Sequence, residues 1–149
     1  MNKPNVLAAE PGATLSPEDA AFLAGLENGS LPISEFSHRG HLRAGWLYLA
    51  QHPLPEAAMR CALAIQRYAT GAGAPEKFHL TMTLAFMHII AGKRSAYPAD
   101  DWETFASSCP ELQSDAKAVL ARYYSDALLT SERARRTFVP PDREPLPTA

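Results

Sequence analysis

A chain of 149 residues, 46% hydrophobic and 20% charged, has material for one hydrophobic core and too little for two. Its 14 basic and 16 acidic residues leave a formal charge of −2, so no global field draws nucleic acid or an anionic membrane surface. Two cysteines, Cys61 and Cys109, and the lack of a basic start leading into an apolar stretch predict reduced thiols, no secretory signal and a cytoplasmic setting.

The chain carries 13 prolines against 8 glycines and no extended period-2 alternation, so strands should be scarce. Residues 1–15 have no periodicity and read as a loose N-terminal arm. Ser16-Pro17-Glu18-Asp19 then supplies an N-cap, a proline in the first turn and a capping acid; the helix it opens should bury Phe22, Leu23 and Leu26 and stop at Gly29. A second helix should start after Ser37 and end before Pro53. Its two internal glycines, Gly40 and Gly45, cost ~0.8–1 kcal/mol each relative to alanine and so suggest close approach by a neighbour or a ligand.

The third helix begins at Pro55-Glu56, ends at Gly71, and places Ala58, Cys61, Ala62, Ile65 and Tyr68 on one face. Pro75-Glu76-Lys77 opens a fourth, Phe78 to Ala91, which is apolar on every side and should lie at the centre; Gly92 with Lys93-Arg94 closes it. Its charge-free run is shorter than the roughly 20 residues of a membrane span. A fifth helix around Trp102 and Phe105 follows Asp100-Asp101, and a sixth follows Ser114 with Ala116, Val119, Leu120 and Tyr123 inside. Ser131 to Ala134 can add a turn, and 139–149, rich in proline, should be extended and packed or disordered. The reading is an all-α fold, one domain over 1–149, with about five to six helices around a buried central helix at 78–91.

Chemistry concentrates in the histidines. At about 100° per residue, His38 and His41 sit about 60° apart on one face of the second helix. His79 shares a face of the fourth helix with Thr83, whereas His88 points about 180° away. His38, His41 and His79 can therefore ligate one Fe, Cu, Ni or Zn ion with positions left open for water or substrate, provided the starts of the two helices meet. Their second nitrogens would then need acceptors, from Glu35, Asp101 or backbone carbonyls. A metal-free alternative makes His79 or His41 a general acid/base, with Thr83 as a helper or merely bonded to its own helix. A third reading makes the histidines structural in a helical ligand-binding or interaction protein. His79 is expected to be functional and His88 structural, so His79→Ala should cost less stability than His88→Ala.

Phe36-Ser37-His38-Arg39-Gly40-His41-Leu42-Arg43, Lys77-Phe78-His79-Leu80-Thr81-Met82-Thr83, and Tyr123-Tyr124-Ser125 with Phe138-Val139-Pro140-Pro141-Asp142 form a set. It resembles an uncharacterised family of small bacterial helical proteins with HxxHLR and KFHxTxT motifs. Many members carry an acid after the third histidine, where this chain has Leu80, so no role for that acid carries over. The resemblance implies one site at His38, His41 and His79 and implies neither metal nor reaction. The resulting expectation is a small cytoplasmic metalloprotein acting on a small organic molecule, with no nucleic-acid or membrane partner. Arg39 and Arg43 fall on the far side of the second helix and Arg133, Arg135 and Arg136 lack interleaved aromatics, so neither set is an anion site.

Overall fold

The computed structural model describes residues 14–148, so all but the last two residues of the expected N-terminal arm lie outside it. Helix α1 (Pro17–Asn28) starts where Ser16 Oγ accepts the Asp19 N–H at 3.1 Å and ends at Gly29, whose φ of 83° glycine adopts without strain. Three long helices make the centre: α2 (His38–Gln51), α3 (Leu54–Gly71) and α4 (Leu80–Ala96) pack on one another, and α1 lies across α3. Five short helices, α5 (Trp102–Ser108), α6 (Glu111–Ser114), α7 (Ala116–Ala121), α8 (Asp126–Leu129) and α9 (Glu132–Arg136), complete the fold. The described residues contain no strand, and one buried apolar cluster runs from Phe22 to Val139.

The described residues thus form nine helices where five to six were expected. The unexpected α6 and α8 are four residues long, too short to show a helical period, and α9 is the turn expected from Ser131; serines cap the last two, Ser125 Oγ accepting from Leu128 N–H and Ser131 Oγ from Ala134 N–H. The central helix is also shifted. Its expected span of 78–91 becomes Leu80–Ala96, because a 3₁₀ turn at Pro75–Lys77 precedes it and His79 is extended at the N-cap, with φ −128° and ψ 108°. Gly92 does not stop it. A Cβ there would lie 3.0 Å from Pro147 Cβ, so this glycine leaves room for the C-terminal segment.

That segment is packed against the fold. Val139 is buried; Thr81 Oγ1 donates to Thr137 O at 2.8 Å and accepts the Val139 N–H at 3.1 Å, while Tyr124 OH donates to Val139 O. Both glycines of α2 are sites of close approach. A Cβ on Gly45 would sit 3.0 Å from Met87 Sδ and from Ile90 Cδ1 of α4, and one on Gly40 would sit 2.7 Å from the Glu35 carbonyl oxygen. Gly45 lets α2 and α4 close; Gly40 lets the turn at Ile33–Glu35 fold back on the start of α2.

Candidate functional site

Where the chain enters α2 and α4, with α3 beside them, the fold leaves a cleft of about 330 Å³. His38, His41, His79 and Thr83 all line it, so the four residues singled out from spacing share one space. Its walls are mainly apolar: Phe36, Phe78, Met82 and Phe86 stand around it, with Cys61 and Ile65 contributed by α3. Burial pushes the Cys61 thiol up to about 12, so it stays protonated and behaves as an apolar surface. Cys61 and Cys109 are both free and buried.

The hydrogen bonds of each imidazole decide what it can do. His41 Nδ1–H donates to Ser37 O at 2.9 Å, which leaves Nε2 as an acceptor. The ring is stacked on Phe36, with centroids 4.0 Å apart and planes 22° apart. Burial holds the His41 pKa below its usual value, and neighbouring His38 acts in the same direction against the opposing Ser37 bond, so the ring is neutral at pH 7. His38 Nε2–H donates to Leu112 O at 2.8 Å and its edge meets Phe86 at 5.7 Å; Nδ1 makes no hydrogen bond among the described residues.

His79 is held at both nitrogens. Nε2–H donates to Leu129 O at 2.8 Å and Nδ1 accepts the Met82 N–H at 3.1 Å, so the ring caps α4 and ties its start to the end of α8. Thr83 Oγ1 donates to His79 O at 2.8 Å, the ordinary bond of a helical threonine. His88 is not part of the cleft lining; its Nδ1–H donates to Pro147 O at 2.8 Å and pins the C-terminal segment.

This donor set decides the fit of a metal. A first-row ion takes unprotonated ring nitrogens. As folded, His38 and His41 offer one each and His79 offers none. Three imidazoles for Fe, Cu, Ni or Zn are therefore not in place, and no group of three or more His, Cys, Asp or Glu able to hold a metal occurs among the described residues. The acceptors that orient the imidazoles are backbone carbonyls. Glu35 takes no part in those bonds, and Asp101 instead caps α5 by accepting the Thr104 N–H at 2.7 Å.

Other charged candidates are absorbed by partners. Arg39 bonds Glu103 and Gln113, Arg43 bonds Asp19, and Arg135 and Arg136 both bond Glu132. Lys77, read from sequence as part of a helix start and of the KFHxTxT motif but given no role, is a lining residue. Comparison with protein-family models, curated proteins and solved structures finds no match. No helix among the described residues is long and apolar enough to cross a membrane.

Proposed function

We propose that the cleft binds a small, mainly apolar molecule that presents a hydrogen-bond donor to His41 Nε2. The observation that carries this reading is the fixed tautomer of His41: its Nδ1–H is spent on Ser37 O, so the nitrogen left over accepts. A volume of about 330 Å³ with mostly apolar walls and a few convergent polar atoms is the usual make-up of a small-ligand site. Where the bound donor is acidic, the neutral imidazole can take its proton, and Thr83 Oγ1 offers a further acceptor. Buried free thiols favour a reducing, cytoplasmic setting for this protein.

A neutral aryl amine such as N-phenylnaphthylamine, which fluoresces in apolar surroundings, tests the reading directly. Saturable fluorescence that weakens in His41→Phe and is lost when Thr83→Trp fills the cleft supports it. Fluorescence indifferent to both substitutions refutes it.

A second reading keeps a metal-dependent enzyme, with Fe, Cu, Ni or Zn on His38 Nδ1 and His41 Nε2. In its favour, both free nitrogens come from one face of α2, and both residues line the cleft. Such an ion would polarise a bound molecule or lower the pKa of a bound water. Elemental analysis of untagged protein separates the two. One metal per chain that disappears in His41→Ala supports the metal; trace metal unchanged by that substitution removes it.

A further inference from the structure

Lys77 ends the 3₁₀ turn just before α4 and lines the cleft. Among the described residues it makes no ion pair or side-chain hydrogen bond, and no other Lys, Arg, Asp or Glu lines this space. The neighbouring acid, Glu76, is not among the lining residues and lies within electrostatic reach of Arg135. Ser37 also lines the cleft, and although it occupies the N-cap of α2 its hydroxyl makes no capping bond.

The polar groups of the lining residues therefore fall into two chemical sets. His38 Nδ1, His41 Nε2 and Thr83 Oγ1 accept hydrogen bonds; the Lys77 ammonium and the Ser37 hydroxyl donate them. A neutral apolar molecule with one donor satisfies the first set only. An anionic head satisfies the second, and no carboxylate among the described residues lines the space.

Resting on the small-molecule reading above, we infer that the ligand class is an organic acid that also carries a hydroxyl: an apolar, preferentially aryl body among Phe36, Phe78, Met82 and Phe86, with its hydroxyl donating to His41 Nε2 and its carboxylate paired to Lys77 and hydrogen-bonded by Ser37. Lys77 is the one Lys or Arg among the described lining residues, so discrimination between an acid and its uncharged analogue falls to it. Lys77 is exposed, so its pairing is partly screened and should weaken with salt.

The test is displacement of bound N-phenylnaphthylamine by 4-(4-hydroxyphenyl)butanoate and by 4-(4-hydroxyphenyl)butanamide, which share a body and a hydroxyl donor and differ in charge. At pH 7 and low salt, the acid should displace the dye at about fivefold lower concentration than the amide. That ratio should fall toward one in Lys77→Met and in strong salt, and persist in Lys77→Arg; the amide measured on the same variant is the internal reference. An acid no better than the amide, or a ratio that Lys77→Met leaves intact, overturns the organic-acid assignment while dye binding upholds the cleft. Dye fluorescence that Thr83→Trp does not reduce overturns the small-molecule reading itself.

Discussion

His79→Ala is the substitution on which the description of the site turns. The imidazole makes two bonds to backbone: Nδ1 accepts the Met82 N–H as the N-cap of α4, and Nε2–H donates to Leu129 O across fifty positions of sequence. Losing an N-cap acceptor costs about 0.5–2 kcal/mol, and losing a part-buried hydrogen bond about 0.5–1.5 kcal/mol. The sum is about 1–3.5 kcal/mol, which for a chain of this length lowers the melting temperature by roughly 2–4 °C per kcal/mol. His79→Asn separates the two contributions, since asparagine is a good N-cap but is too short to stand in for Nε2; it should recover about half of the loss. His88→Ala removes one bond, to Pro147 O, and should cost about 0.5–1.5 kcal/mol, less than His79→Ala and opposite to the order anticipated from helical angles. Urea denaturation followed by far-ultraviolet circular dichroism measures all three variants. A His79→Ala protein within ~0.5 kcal/mol of the parent would mean that the ring is not holding these bonds and is free to serve as a third ligand, which would restore the three-imidazole metal site.

Gly40→Ala should destabilise by about 1–3 kcal/mol, because its new methyl would press on the Glu35 carbonyl, and it should also impair dye binding by displacing Phe36 and His41; Gly71→Ala, with open space around its Cβ, should be neutral or slightly stabilising in the same melts. The His41 pKa is held below its unfolded value, so the folded state binds fewer protons: stability is fully present above about pH 6.5 and declines as pH falls from there toward the depressed folded value. Melting temperatures of the parent should drop more steeply than those of His41→Gln between about pH 7 and pH 5; parallel curves would refute the burial of that ring. Ending the chain after Phe138 removes buried Val139 together with the acceptors of Tyr124 OH and His88, and should cost at least about 3 kcal/mol in urea melts.

The long helices were legible because each buries a face over three or more turns: Phe22, Leu23 and Leu26 in α1, and Cys61, Ala62, Ile65 and Tyr68 in α3, are the residues that periodicity puts inside. The glycines of α2 were legible for a related reason. A helix interior that forgoes alanine twice needs space, and the structure shows α4 using one gap and the preceding turn the other. After Ser108 the helix following Ser114 and the turn at Ser131 were legible, but α6 and α8 were not, since a helix of four residues has no period. Gly92 misled for a physical reason as well: a stop signal and a contact surface for Pro147 need the same missing side chain.

Helical angles brought His38, His41, His79 and Thr83 to one cleft but could not assign their nitrogens. That step depends on backbone carbonyls far along the chain: Leu112 O fixes His38 and Leu129 O fixes His79, and both belong to short helices that periodicity does not reveal. The consequence reaches the chemistry. An imidazole bonded at both nitrogens builds the site, one bonded only through N–H keeps an acceptor, and these two conditions look identical in sequence. His79 is the first case and His41 the second. Shared placement in one cleft therefore argues for one site with divided roles: His79 shapes the mouth by holding the start of α4, while His41, stacked on Phe36 and neutral, is the residue with a free acceptor to offer a ligand.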